Sequence, residues 1–95
     1  MSERSFYLLA YDLADDRRRA KIARLMESVG NRVQGSVFEA YLSAAELEQL
    51  IKKSSKIMLM KEDSLRIYFL CSECRARVRA VGVGRITPPP GVMVV

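Results

Sequence analysis

Ninety-five residues make a single domain, and a hydrophobic share of 49 % excludes a disordered chain. A net charge of +5 points toward a polyanionic partner, while the absence of histidine excludes Ser-His and Cys-His nucleophilic catalysis and any His-ligated zinc. No apolar run approaches the roughly 18 residues of a membrane span, and two cysteines make no disulfide scaffold, so a cytoplasmic protein without a signal peptide is expected.

Residues 5–12, SFYLLAYD, read as the first strand. Phe6, Leu8 and Ala10 alternate with Tyr7, Leu9 and Tyr11, so both faces carry bulk and a central strand is expected. Asp12 closes the strand with one carboxylate beside a loop and a positive surface. Asp15-Asp16 then supplies an N-cap for a helix over 16–29, because an Asp oxygen accepts from the free N–H groups of a first turn. Ile22, Leu25, Met26 and Val29 recur at i, i+3, i+4 and i+7, a core-facing stripe. Gly30 is expected to end this helix in the left-handed conformation common just past a helix.

Residues 31–34 and 37–42 read as two short strands joined by a two-residue turn at Gly35-Ser36, with one bulged strand as the alternative. Ser43 to Glu46 is S-x-x-E, a capping box, and opens a helix from 44 to near 58 with Leu47, Leu50 and Ile51 on its apolar side. A polar loop, Lys61-Glu62-Asp63, leads to a strand over 64–71 in which Leu65, Ile67 and Phe69 share a face. Arg75 to Val83 alternates, which predicts a further strand with Arg75, Arg77 and Arg79 on one face. Pro88-Pro89-Pro90 is a rigid spacer before an apolar end, VMVV, that docks on a partner subunit or on its own sheet edge. Residues 1–84 then form the core, and 85–95 a spacer and terminal strand. The order β-α-β-β-α-β defines an α+β, ferredoxin-like fold, which by itself does not assign a function.

Each candidate residue carries two readings. Asp12 either holds a divalent metal or simply ends the strand. Asp15 and Asp16 are sufficiently explained as caps. Arg17, Arg18, Arg19 and Lys21 either contact phosphates or form a solvated face paired with Glu27 or Asp16. Arg32 and Phe38 flank a Gln34-to-Glu39 segment, where Phe38 suits a core or dimer interface better than a base-stacking platform. Tyr11 supports the site beside Asp12 or packs. Arg75, Arg77 and Arg79 line a phosphate backbone or keep an edge strand charged. Cys71-x-x-Cys74 is half a zinc site, and one buried and one half-exposed cysteine are expected.

Four motifs now carry a resemblance. Y-D-L-x-D-D at Tyr11 to Asp16, Q-x-S-V-F-E at Gln34 to Glu39, E-D-S-L-R-I-Y at Glu62 to Tyr68 and L-C-x-x-C at Leu70 to Cys74 resemble the second universal CRISPR-associated protein family. Gly82-x-Gly84 and the apolar tail fit as well. Gly35 and the triproline spacer depart from that pattern. The resemblance implies a ferredoxin-like homodimer in which the C-terminal strand completes the partner's sheet. It implies that Asp12 of each copy meets its mate at the two-fold axis and binds Mg2+, with Tyr11, Arg19 and Phe38 completing a catalytic group. It implies acquisition of new CRISPR spacers together with the spacer integrase (Cas one). The expected partner nucleic acid is double-stranded DNA or RNA, with Arg17, Arg18, Lys21, Arg32, Arg75, Arg77 and Arg79 as the candidate contacts.

Three functions follow from these residues. One is a metal-dependent endonuclease on RNA or double-stranded DNA. Another is a non-catalytic scaffold holding a DNA duplex between integrase subunits. The third, a small-molecule-sensing or toxin-type ferredoxin-like domain, requires the motif matches to be accidental.

Overall fold

The computed structural model describes residues 3–82 and 87–88. Its elements are β1 (Ser5–Asp12), α1 (Asp16–Val29), β2 (Asn31–Gln34), β3 (Val37–Leu42), α2 (Ala44–Ile57), β4 (Ser64–Leu70) and α3 (Ser72–Ala76). The four strands form one antiparallel sheet in the order β2-β3-β1-β4. β1 is central, as the bulk on both of its faces requires. This is the ferredoxin-like arrangement.

Alternation along β1 separates two faces. Tyr7, Leu9 and Tyr11 pair across to Ala40, Phe38, Ile67 and Leu65 on the face that α1 and α2 cover. Leu9 and Phe38, directly opposite each other, join Ile22, Met26 and Leu50 in a core sealed from solvent. Phe6, Leu8, Ala10 and Asp12 point to the other face, over which neither long helix lies. Tyr41 stands against Phe6 there, with ring centroids 5.1 Å apart.

The helices start where side chains satisfy their first N–H groups. Asp15 accepts from the Arg18 N–H and caps α1. Ser43 and Glu46 form a reciprocal capping box on α2. Gly30 ends α1 for a different reason from the one expected. Its φ is −156°, an extended conformation any residue adopts, rather than left-handed. Glycine is needed because a Cβ there would lie 2.3 Å from the Glu39 carbonyl oxygen of β3. Gly35 takes a positive φ of 31° in the β2–β3 turn, and β2 carries a bulge between Arg32 and Gln34.

Over 75–82, the described part of the strand expected at 75–83, no strand forms. Residues Ser72–Ala76 form α3 instead, and Arg77 is its C-cap. The x-x spacing of the two cysteines explains this: Cys71 is the N-cap residue and its sulfur accepts from the Cys74 N–H. Both cysteines are therefore exposed, in place of the expected buried and half-exposed pair. β4 ends at Leu70, one residue early, to leave Cys71 for that cap. Phe69 shares the face of Leu65 and Ile67 but lies beyond the helices and is 60 % exposed. The expected C-terminal strand falls outside the described residues. No helix among the described residues is long and apolar enough to cross a membrane.

Candidate functional site

Asp12 is the last residue of β1, opposite Ser64 of β4, exposed and on the uncovered sheet face. The segment that follows is held from both sides. Leu13 is buried, and the Arg19 guanidinium donates to the Leu13 carbonyl at 3.1 and 3.2 Å and to the Ala14 carbonyl at 3.3 Å. Arg19 also pairs with Asp16. Opposite, Asp63 accepts from the Ala14 N–H at 3.1 Å, the Leu59 N–H at 2.8 Å and Arg18 at 2.7 and 3.2 Å. These donors hold the Asp63 carboxyl down at about 2, with the Arg18 guanidinium as the largest cause and the two backbone N–H groups adding to it. The loop beyond Asp12 is thus pinned to α1 and to the α2–β4 connection.

This geometry reassigns several expected residues. Arg18 points its Nε and one terminal nitrogen at Asp63 and lies 3.7 Å from Glu62, the ion-paired reading rather than a free cation. Arg19 is a clamp on the loop carbonyls, with part of its side chain still exposed. Tyr11 and Phe38 stack at 6.3 Å inside the helix-covered core, on the face opposite Asp12. A ring 0 % exposed cannot touch a substrate, so Phe38 is a packing residue. Tyr11, nearly as buried, packs beneath the Asp12 end of β1. Chain neighbours on a strand point to opposite faces, so Tyr11 takes the packing reading while Asp12 stays exposed.

The remaining cations divide. Arg17, Lys21 and Arg24 are exposed on α1, at i, i+4 and i+7, and make no ion pair among the described residues. Arg32 lies 5.0 Å over the Phe38 ring, donates to the Gly35 carbonyl at 3.0 Å and lies 3.8 Å from Glu27. Arg75 lies over the Phe6 and Tyr41 rings, while Arg77 pairs with Glu73 in the exposed α3 and Arg79 is exposed beyond it. The three do not form one stripe, because no strand carries them.

Two residues of the site escape a reading of the sequence. Asp63 looks like a loop charge, and only the fold reveals that it is 8 % exposed with four donors around it. Arg66 sits on the uncovered face, opposite Ala10 and two residues from Ser64, so Asp12 and Arg66 share one surface. Its period-2 position in β4 is the available signal. A single copy gathers no group of three metal-ligating side chains among the described residues.

Residues 5–78 match the family model for CRISPR associated protein Cas2. An endoribonuclease Cas2 of Synechocystis is 46 % identical over 94 % of this chain and 97 % of its own. The crystal structure of a hypothetical protein from Thermus thermophilus superposes with a TM-score of 0.78 at 41 % identity, covering 87 % of this chain and 96 % of that one. A chain of a partial Cas6-RT-Cas1–Cas2 complex matches with a TM-score of 0.76 at 32 % identity, covering 96 % of this chain and 99 % of that one. With a family model matched across most of its length and close relatives along nearly all of it, the chain belongs to the CRISPR-associated Cas2 family.

Proposed function

We propose that this protein acts in CRISPR spacer acquisition as a homodimer that cleaves nucleic-acid phosphodiesters at Asp12. The observation that carries this reading is the exposed Asp12 on the uncovered sheet face, beyond which the chain is locked by Arg18–Asp63 and Arg19. A half-buried apolar surface, Leu8, Ala10, Val37 and Leu70, runs along the same face from the Phe6 end toward Asp12 and suits a second copy. The endoribonuclease name of the Synechocystis relative supports RNA as a substrate, and duplex DNA is the second arm of the test.

Among the described residues one copy offers one carboxylate at this place, and no group of three metal-ligating side chains completes a divalent-metal site. A two-fold axis through the uncovered face would bring a second Asp12, and the pair would then suit Mg2+. Such an ion, when bound, supplies an acidified water and charge neutralisation at the phosphoryl oxygens. The protein's own contribution is positional. The Arg18–Asp63 and Arg19 clamps hold the loop beyond Asp12 still, and Arg66 adds a guanidinium on the same face for a phosphate.

The unpaired cations of α1 favour a second reading, compatible with the first. Arg17, Lys21 and Arg24 give a phosphate-binding face for a DNA duplex, and the Cas1–Cas2 complex chain supports a spacer-integrase partner. The test compares wild type and Asp12→Asn on single-stranded RNA and duplex DNA, with Mg2+ and with chelator, beside a spacer-acquisition assay. The nuclease reading expects Mg2+-dependent cutting that falls at least about 100-fold in the variant. Equal background cutting in both proteins, with acquisition retained, would leave only the scaffold.

A further inference from the structure

Cys71 and Cys74 are the two cysteines of the chain, both free and exposed. The Cys71 sulfur accepts from the Cys74 N–H at 3.4 Å, and the Cys71 carbonyl accepts from the Arg75 N–H at 2.8 Å. The Cys74 Cβ is two bonds from the nitrogen on which that sulfur rests. The Cys71 sulfur thus rests against the Cys74 backbone, across the first turn of α3 from the partner thiol. The thiols are also unlike. The Cys74 N–H holds the Cys71 thiol below its ordinary range, and Cys71 pushes the Cys74 thiol above it.

The residue after this pair is mechanically connected. The Arg75 guanidinium lies 5.7 Å from the Phe6 ring centroid and 5.5 Å from that of Tyr41, and it donates to the Thr87 carbonyl at 3.2 Å. Tyr41 donates to the same carbonyl at 3.4 Å. Thr87 in turn donates its N–H at 2.9 Å and its hydroxyl at 2.7 Å to the carboxylate of Glu39, a residue only 8 % exposed. Cys71 and Arg75 line one open cavity of about 400 Å³ with Phe6, Tyr41 and Leu70, and Cys71 is exposed.

We propose that Cys71 and Cys74 form a reversible intrachain disulfide that staples the first turn of α3 and so tightens the hold of Arg75 on Thr87. The oxidant is a small-molecule disulfide. The Cys71 thiolate attacks one of its sulfurs and displaces a thiolate, giving a mixed disulfide. The Cys74 thiolate then attacks the Cys71 sulfur and expels the second thiolate. The protein loses two electrons and two protons, and the small disulfide leaves as two thiols. α3 has five residues, too few to hold a helix on propensity alone, so a covalent link across its first turn bears directly on its persistence. This inference does not depend on the nuclease reading.

The full-length protein is equilibrated with mixtures of oxidised and reduced glutathione, quenched with an alkylating agent and weighed intact. The expected product is a monomer about 2 Da lighter that reduction reverses, while Cys71→Ser and Cys74→Ser do not form it. Hydrogen exchange then reads the consequence. Amides of residues 72–77 and of Thr87 slow by about threefold or more on oxidation. In Arg75→Ala the disulfide still closes but the Thr87 amide no longer responds. Mixed disulfides alone, cross-links between chains, or a closed disulfide that leaves Thr87 exchange unchanged in wild type would each overturn the proposal.

Discussion

At Asp12 and Tyr11 two adjacent side chains have opposite fates. Asp12 is exposed on the sheet face that neither long helix covers, and Tyr11 is sealed under the helices against Phe38. The consequence is a separable pair of substitutions. Phe38→Ala removes a fully buried ring and is expected to cost about 3–5 kcal/mol of stability, read from the denaturant midpoint. Asp12→Asn should leave that midpoint nearly unchanged, since its carboxylate makes no hydrogen bond among the described residues. Gly30 offers a second test at this scale. A methyl group 2.3 Å from the Glu39 carbonyl oxygen must displace β3, so Gly30→Ala should destabilise the fold by about 1–3 kcal/mol.

Asp63 makes a prediction about pH. Its carboxyl titrates near 2 when folded and near 3.8 when free, so the unfolded chain binds its proton first. The stability it contributes is present above about pH 4 and is lost as the pH falls toward 2. Glu46, held near 2 by Arg4 and the Ser43 N–H, loses its contribution in the same window. Asp63→Asn should therefore flatten, without abolishing, the decline of the unfolding midpoint between pH 4 and 2.

At the scale of elements, much is legible because local rules and packing agree. The apolar period of α1, the capping box of α2 and the alternation of β1 each point to one structure, and each forms. α3 is misread because Arg75, Arg77 and Arg79 alternate with small apolar residues, a strand period without a neighbouring strand to pair with among the described residues. The Cys71 cap decides the contest locally, through a sulfur rarely counted among N-caps. Asp63 is illegible because its role depends on partners 45 and 49 positions away, Arg18 and Ala14. Among the candidate residues, the sequence indicates the positive face of α1 but not which arginines are already engaged. Replacing Arg17, Lys21 and Arg24 with Ala should weaken duplex DNA binding. The slope of log affinity against log salt should fall by about 0.9 for each phosphate no longer neutralised, measured by fluorescence anisotropy. Arg18→Ala should act on stability instead.

For the whole molecule, one sheet face is closed by α1 and α2, and the other carries a carboxylate, a guanidinium and apolar side chains toward solvent. Among the described residues β4 is an edge of the sheet and carries exposed Tyr68 and Phe69, one on each face, which a second chain would cover. Both features suit a molecule that functions as two copies. The most direct measurement is cleavage by dimers co-refolded from wild type and Asp12→Asn in varying proportion. If the two Asp12 carboxylates act as one site, activity follows the square of the wild-type fraction, about a quarter at equal mixing. A linear dependence would mean that each copy works alone, and would contradict a site shared across the two-fold axis.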